Sequence, residues 1–369
     1  MKEAYEETSD VFDVLDKAEQ NLFNITQGNL RRSYEDMGSL VAQALEQLQL
    51  LKGHEDGVVG VPSGLTNLDR ITSGWQKSDL IIVAARPAMG KTAFTLSIAR
   101  NAAVEFGKAV AFFSLEMSAV QLVNRLISAE TSIAADKLKK GTLEDYEWTQ
   151  LSERVERLAE AKIFIDDTPA INIFELRAKC RRLKMQHDIQ LIVVDYLQLM
   201  SGSTGEKTRV SGNREQEISM ISRSLKSIAK ELNIPVIALS QLSRAVETRG
   251  GDKRPMLSDL RESGSIEQDA DMVIFLYRPE YYGFDQDDDG NSSRGVAEII
   301  IAKHRNGATD TAKVKFIAQN AKFTDLDNNL GGFGSELNPI GDIITFGSRI
   351  NDFGTPPNSN SSNNEDIPF

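Results

Sequence analysis

Apolar, β-rich runs alternate with helical patterns along the middle of the chain, and this alternation restricts the fold more than any other feature. The runs cover residues 80–84, 109–113, 191–194, 236–239 and 272–276, and helical patterns include 93–105, 144–161 and 215–232. Strands that are apolar throughout and joined by helical crossovers are typical of a parallel sheet covered on both faces. Runs 297–302 and 313–317 predict a closing pair of strands. The predicted fold class is therefore α/β with a mostly parallel central sheet.

The same pattern divides the chain into three regions. An α/β domain spans 53–346, a helical segment covers 1–52, and a polar, acidic tail at 347–369 is expected to be disordered. Within the first segment, a helix at about 10–26 carries an apolar stripe that it cannot bury alone. That stripe packs either on the core of its own chain or on a neighbouring subunit, and both readings stay open. A second helical pattern starts near Ser33.

Composition narrows the class of protein. The net charge of −12 argues mildly against a nucleic-acid partner, although binding depends on where the positive charges lie. The single cysteine, Cys180, excludes an internal disulfide. No apolar run approaches the roughly 20 residues that span a bilayer, and the acidic start of the chain lacks the apolar core of a signal peptide. We therefore expect a cytoplasmic protein with no membrane contact.

The first apolar run leads directly into a phosphate-binding motif followed by a helical pattern. The loop reads Ala85-Arg86-Pro87-Ala88-Met89-Gly90-Lys91-Thr92. In such a loop the amides and the helix N-terminus cradle phosphates, Lys91 reaches the β- and γ-oxygens, and the Thr92 hydroxyl ligates Mg²⁺. Alanine replaces the first glycine of the general motif, so the loop alone does not decide the matter.

Three further polar residues stand where apolar runs end. Asp195 follows 191–194 and suits a role in holding Mg²⁺ through water. Glu116 follows 109–113, a strand that we expect beside the phosphate-loop strand, and can orient and deprotonate the attacking water. Gln241 follows 236–239 and can sense the γ-phosphate. Capping or solvated side chains are the plainer alternative for each, but ligands bind at the carboxyl ends of parallel strands.

Four further stretches are distinctive: Pro62-Ser63-Gly64-Leu65-Thr66-Asn67-Leu68-Asp69, Ala84-Ala85-Arg86-Pro87, Asp195-Tyr196-Leu197-Gln198-Leu199-Met200 and the block 259–271, DLRESGSIEQDAD. They resemble the DnaB-type replicative helicases, and the block 259–271 is the most specific of them. The resemblance covers nearly the whole chain except the tail, and it includes the alanine at 85. It implies a RecA-like P-loop ATPase core in a homohexameric ring. Such a ring uses ATP and Mg²⁺ and tracks single-stranded DNA 5′ to 3′.

The resemblance also implies roles for individual residues. Glu116 is the catalytic base, Lys91, Thr92 and Asp195 bind nucleotide and Mg²⁺, and Arg125 is a further nucleotide contact. Lys303 and Arg305 match the finger residues that are inserted into the ATP site of the next subunit. A lysine and an arginine two apart at a strand end share one face. The alternative for them is a plain pair of surface cations.

For DNA, two basic segments match the central-channel loops of the family. One contains Arg244, Arg249, Lys253, Arg261, Glu262 and Gly264, and the other contains Lys207, Arg209 and Arg214. Neither segment contains an aromatic residue, so base stacking is not indicated. Contact with the DNA backbone, with little sequence preference, is expected instead.

Some expectations remain open. The helical N-terminal domain that precedes the linker helix in this family is not found in the sequence, which fits a truncated piece or a short relative. A helicase loader and primase are expected partners, although primase recruitment is often assigned to that domain. The alternatives in function are a RecA-like recombinase or DNA-repair ATPase and a ring scaffold that does not hydrolyse ATP. The block 259–271 and the linker helix argue against the recombinase.

The chain ends Glu365-Asp366-Ile367-Pro368-Phe369. This end resembles the acidic tip of bacterial single-stranded-DNA-binding proteins. The hypothesis is that Phe369 and Pro368 fill an apolar pocket of a partner while a basic residue there takes the terminal carboxylate. A solubilising tail without a partner is the alternative.

Overall fold

The computed structural model describes residues 36–51, 58–200, 214–260, 264–286 and 290–326. The predicted helix at 10–26 and the predicted tail at 347–369 lie outside these residues. The second helical pattern of the first segment is confirmed as the helix Met37–Leu51. None of the described helices combines the length and the hydrophobicity that a membrane span requires.

The described part of the chain forms one nine-stranded sheet with the order β3-β2-β4-β5-β1-β6-β7-β8-β9. The strands are β1 (Leu80–Ala85), β2 (Val110–Ser114), β3 (Ile163–Asp166), β4 (Leu191–Asp195), β5 (Val236–Gln241), β6 (Met272–Tyr277), β7 (Val296–His304), β8 (Thr311–Ile317) and β9 (Lys322–Thr324). Strands β1 to β6 pair in parallel, and β7 to β9 add antiparallel strands at one edge. The predicted α/β class, with a mostly parallel sheet and a closing pair of strands, is confirmed.

One expectation about neighbouring strands is wrong. Strand β2, which leads to Glu116, does not lie beside β1, because β4 and β5 stand between them. The chain crosses from β1 to β2 over positions that later strands fill. Order along the sequence therefore did not reveal order in space.

Helices cover both faces of the sheet. After the first helix they are Thr66–Thr72, Lys91–Arg100, Ala119–Thr131, Ala135–Lys140, Asp145–Glu160, Ile173–His187, Arg214–Leu232, Ala245–Thr248 and Gly264–Asp269. Alternate residues of β1 enter two separate cores: Ile81 and Val83 pack into one, and Leu80 and Ile82 into the other. Burial on both faces explains why β1 is apolar at every position.

Candidate nucleotide-binding site

The phosphate loop turns sharply between β1 and the helix Lys91–Arg100. Gly90 has a φ of 96°, in the left-handed region that favours glycine. A Cβ added there would lie 3.3 Å from ring atoms of Phe323, so the side chain has little room as well. Ala88 also has a positive φ, of 65°. The glycine kept at position 90 is therefore required by both backbone geometry and packing, whereas Ala85 is an ordinary buried strand residue.

Lys91 lies at the start of the helix and turns back over its own loop. Its Nζ donates a hydrogen bond of 2.9 Å to the carbonyl of Ala85. Burial lowers the pKa of Lys91 to about 8, and the charges of Asp195 and Glu116 oppose this change. Phosphate oxygens are stronger acceptors for an ammonium group than a backbone carbonyl is. When a nucleotide binds, Lys91 can therefore replace its hydrogen bond to the Ala85 carbonyl with one to a phosphate oxygen.

Thr92 and Asp195 meet directly. The Thr92 hydroxyl donates a hydrogen bond of 2.7 Å to Oδ2 of Asp195, which is 1% exposed at the end of β4. Burial raises the pKa of Asp195, and the bond from Thr92 opposes that shift. Among the described residues, no three His, Cys, Asp or Glu side chains form a metal cluster. One hydroxyl and one carboxylate nevertheless suit Mg²⁺, which is usually held by few protein oxygens together with substrate phosphates and water.

Glu116 reaches this site through a turn that β4 holds in place. The amide of Leu115 donates to the carbonyl of Asp195 at 2.7 Å. The Ser114 hydroxyl closes the turn by donating to the carbonyl of Met117 at 2.7 Å. Glu116 itself is exposed, and its charge raises the pKa of both Lys91 and Asp195. The carboxylate therefore lies near the predicted phosphate position, although its strand is three positions away from β1.

Arg125 and Gln241 approach from either side. Arg125 is exposed on the helix Ala119–Thr131, and its charge lowers the pKa of Asp195. Gln241 is half-buried at the end of β5, in register with Ala85 of β1. The structure thus brings both predicted residues to the same edge of the sheet as the phosphate loop.

The remaining loop residues face in different directions. Met89 is 1% exposed and packs in the core, whereas Pro87 and Ala88 are exposed. The Arg86 side chain is buried, and it points toward the segment after β5 rather than along the loop. Its Nη1 donates to the carbonyl of Leu242 at 2.8 Å, and its Nε donates to Glu247 at 2.9 Å.

Arg278 is a site residue that sequence reasoning missed. It follows β6, the other neighbour of β1, and its Nη1 donates to the carbonyl of Ala88 at 3.4 Å. Its guanidinium also lies over the Phe316 ring, 4.1 Å from the centroid. The rule that found Asp195 and Gln241, a polar residue within two positions of the end of an apolar run, also applies to Arg278.

The predicted finger residues lie at the opposite end of the parallel strands from the phosphate loop. The register pairs Met272 with His304 and Met272 with Ile81, so Lys303 and Arg305 stand level with the beginning of β1. The phosphate loop leaves the other end of that strand. At about 3.3 Å of rise per residue, roughly 17 Å of strand separate the two ends. Arg305 therefore cannot contact a nucleotide held by its own phosphate loop.

The predicted DNA-binding residues are only partly described. Arg244 is exposed, just before the helix Ala245–Thr248. Arg249 pairs with the buried Asp259 and also donates to the carbonyl of Arg254 at 3.1 Å. Lys253 is half-buried, with its ammonium 5.3 Å from the centroid of the Tyr282 ring.

The other predicted channel residues lie at or beyond the limits of the described chain. Gly264 begins the helix Gly264–Asp269, and Arg214 begins the helix Arg214–Leu232. Arg261, Glu262, Lys207 and Arg209 lie outside the described residues. Both helices thus follow directly on segments that were predicted to bind DNA.

Comparison with known proteins supports the same assignment. Residues 60–325 match the family model described as DnaB-like helicase C terminal domain. The replicative DNA helicase DnaB of Geobacillus stearothermophilus is 48% identical over 326 residues, which cover 88% of this chain and 70% of that protein. The replicative DNA helicase DnaC of Bacillus subtilis (strain 168) is 46% identical over 333 residues, covering 90% of this chain and 71% of that protein.

Solved structures agree with these sequence relatives. One solved ATPase domain is 39% identical, with a TM-score of 0.71, and the match covers 79% of this chain and 100% of that chain. A DnaB-like replicative helicase, solved in a study of its interactions with primase, is 36% identical with a TM-score of 0.71. That match covers 85% of this chain and 76% of that chain. The predicted resemblance is confirmed, and the recombinase alternative is not favoured. The chain belongs to the DnaB-like replicative DNA helicases and is an ATP-dependent DNA helicase.

Proposed function

We propose that this helicase hydrolyses ATP at sites shared between neighbouring chains of a homohexameric ring. The observation that carries the proposal is the placement of the two halves of the site. The phosphate loop, Thr92, Asp195 and Glu116 gather at the carboxyl ends of the parallel strands. Lys303 and Arg305 lie level with the amino ends of those strands. If a second chain packs in the same orientation against the carboxyl ends of these strands, its finger residues face the phosphate loop of the first chain. A repeated head-to-tail contact of this kind closes into a ring.

Within one site, each group has a distinct task. The loop amides and Lys91 bind the phosphates, and Thr92 and Asp195 would hold Mg²⁺, which would neutralise negative charge on the phosphates. Glu116 accepts a proton from the attacking water, so that the oxygen attacks the γ-phosphorus as the bond to the β-phosphate oxygen breaks. Arg305 and Lys303 of the neighbour stabilise the charge that develops on the transferred group. Arg125 adds a further positive charge, and Gln241 responds to the γ-phosphate.

The ring is proposed to translocate 5′ to 3′ on single-stranded DNA. Support comes from the two helices that follow the predicted channel segments and from the exposed Arg244. Since Arg249 is bound to Asp259, it shapes the segment 244–260 as well as adding charge to it. Contact with a helicase loader and primase, and a cytoplasmic location, belong to the same proposal. A partner for the Ile-Pro-Phe tip stays a prediction on residues outside the described ranges.

Mixing two inactive variants tests the shared site. An Arg305→Ala chain keeps Glu116, and a Glu116→Gln chain keeps Arg305. In a randomly mixed ring, about a quarter of the interfaces regain both residues, so ATPase activity should reappear on mixing. Co-assembly is verified by capturing one tagged variant and detecting the other. Mixed rings that show no more activity than the separate variants would refute a finger that acts between chains and would leave Arg305 a structural role.

A further inference from the structure

Asp271 is a buried carboxylate, directly before β6, that the nucleotide site does not use. It is 5% exposed, and three donors converge on it. Arg305 donates to Oδ1 at 3.0 Å, the amide of Leu80 donates to Oδ2 at 2.8 Å, and Lys226 also donates to Oδ2. A buried carboxylate is tolerated when its oxygens are satisfied in this way. The backbone strengthens the contact, because the Arg305 amide donates to the Asp271 carbonyl at 2.9 Å.

The other contacts of the finger pair lead to the end of one short helix. Arg305 donates through Nη2 to the carbonyl of Gln268. Lys303 donates to the carbonyls of Glu267 at 2.5 Å and Ala270 at 2.9 Å. Carbonyls in the last turn of a helix lack partners within the helix and attract cations. Both finger residues are thus tied to the end of Gly264–Asp269, Lys303 also to the next residue, Ala270, and Arg305 also to Asp271.

Asp271 is the only charged group among these acceptors. The Arg305 side chain is still 46% exposed, so it extends outward from a fixed base. Lys226 comes from the helix Arg214–Leu232, donates to the carbonyl of Ser78 at 2.8 Å, and ties Asp271 to the beginning of β1. Without the carboxylate, the described acceptor of the Arg305 side chain would be one carbonyl. A long arginine side chain would then sample many rotamers.

We propose that Asp271 is a positioning residue for Arg305, holding the guanidinium in the direction in which it meets the nucleotide of a neighbouring chain. This inference rests on the proposed function, since it assumes that Arg305 acts between chains. A finger contributes about 10³- to 10⁵-fold to turnover, and misplacement of a catalytic group by about 1 Å costs on the order of 10²-fold. Loss of Asp271 should therefore remove part of the effect of Arg305 and no more than that.

The test compares Asp271→Asn, Arg305→Ala and the double variant in the full chain, by DNA-stimulated ATP hydrolysis. Asp271→Asn keeps an acceptor for the Leu80 amide but removes the charge opposite Arg305. We expect kcat to fall about 10- to 100-fold, the cost of a misplaced group. KM for ATP should change less than about threefold, because the nucleotide is held by the other chain. The double variant should match Arg305→Ala. Additive losses in the double variant would overturn the inference.

Asp79→Asn is the matched control. Asp79 is buried in the same cluster and lies 3.9 Å from Lys226, but within the described residues it makes no hydrogen bond to Arg305. Its kcat should stay within about twofold of the parent, against the 10²-fold scale of misplacement. Equal losses in Asp79→Asn and Asp271→Asn would show a general effect of the cluster and overturn the inference.

Two more comparisons keep the test decisive. Asp271→Glu retains the charge at a different reach and should recover part of the turnover lost in Asp271→Asn. If the asparagine variant does not fold, Asp271→Glu replaces it in the same cycle with Arg305→Ala, and additivity again counts against the inference. Full turnover in Arg305→Ala would instead refute the proposed trans finger. A loss in Arg305→Ala without one in Asp271→Asn would refute positioning alone.

Discussion

The guanidinium of Arg86, in the phosphate loop, donates a hydrogen bond of 2.9 Å to the carboxylate of Glu247, in the segment that follows β5. Arg86 is 7% exposed and Glu247 is 41% exposed, so the pair bridges the interior and the surface. The hydrogen bond from Arg86 lowers the pKa of Glu247. A second bond, from Arg86 to the Leu242 carbonyl, fixes the start of the same segment. The nucleotide loop and the segment 244–249 are therefore directly joined.

The first prediction follows from this contact. Glu247→Gln should reduce the stimulation of ATP hydrolysis by single-stranded DNA about 2- to 30-fold, the range in which linking residues modulate coupling. Because the pair is partly exposed, the free energy of unfolding should change by less than about 1 kcal/mol. Titrating DNA into a steady-state ATPase assay measures the effect. Asp252→Asn is the control, because Asp252 accepts from the amide of Arg254 in its own loop. Unaltered stimulation in Glu247→Gln would contradict the coupling.

The second prediction concerns the base. Glu116→Gln should keep ATP affinity within about threefold, while turnover falls by at least about 10², the usual contribution of general-base catalysis. The reason is that glutamine retains the shape of the side chain but cannot accept a proton at neutral pH. Nucleotide binding is followed with a fluorescent ATP analogue and turnover by phosphate release. Turnover equal to that of the parent would remove Glu116 from this role.

The third prediction concerns Gly90. Gly90→Ala must place a Cβ at a positive φ and 3.3 Å from the Phe323 ring, so both strain and contact oppose it. We expect a loss of at least about 2 kcal/mol in the free energy of unfolding, because a left-handed non-glycine residue alone costs about 1–2 kcal/mol. ATP binding should weaken as well, since the helix N-terminus shifts.

Gly107→Ala separates the two causes. Gly107 also has a positive φ, of 62°, but nothing lies within 4 Å of an added Cβ. This variant should therefore lose only the backbone cost of about 1–2 kcal/mol and should bind ATP like the parent. Chemical denaturation and nucleotide titration measure both variants. Identical behaviour of the two would mean that packing against Phe323 does not matter.

The fourth prediction is a dependence of stability on pH. Burial raises the pKa of Asp79 to about 6, and the neighbouring charge of Asp271 adds to the shift. Because the folded state binds this proton more tightly than the unfolded state does, the raised pKa contributes to stability. The contribution is fully present below the ordinary pKa of 3.8 and is lost as the pH rises through about 6. Asp79→Asn removes that loss. The variant should gain about 1–2 kcal/mol over the parent at pH 7.5, and much less at pH 4.5.

Thermal melting of parent and variant at the two pH values, at one protein concentration, decides this prediction. Asp188→Asn is a suitable control, because the pKa of the exposed Asp188 is lowered by its hydrogen bond from Lys184. The stability of Asp188→Asn relative to the parent should not rise between the two pH values. A difference between Asp79→Asn and the parent that is the same at both values would show that Asp79 is not the group responsible.

Features set by local sequence could be predicted, and features set by long-range packing could not. The five apolar runs become parallel strands because each is buried on both faces, and Asp195 and Gln241 lie at strand ends that any parallel sheet brings together. The exposed position of Arg305 near a strand end follows in the same way. The order β2-β4-β5-β1, in contrast, depends on which strands pair across long crossovers. Strand β3 is only four residues long and half-buried along its length, so the sequence offers only a short apolar run there.

Side-chain partners were also hidden in the sequence. The sequence suggests that Arg249 is a free cation, but in the structure it forms an ion pair with Asp259, ten positions away. Asp271 stands within the most specific stretch of the resemblance, yet nothing in the spacing shows that its partners are Lys226 and Arg305. Arg278 could have been found, because it follows an apolar run as Asp195 does.

The separation of phosphate loop and finger along β1 also fixes how active sites are counted. On the proposed arrangement a lone chain holds two incomplete halves and no whole site. Two chains share one complete site. In an open row the number of complete sites is one fewer than the number of chains, and the two numbers become equal only when the ring closes. Activity per chain should consequently rise with protein concentration as rows lengthen, and reach its ceiling when the last gap closes. Dilution alone would then act as a reversible inhibitor.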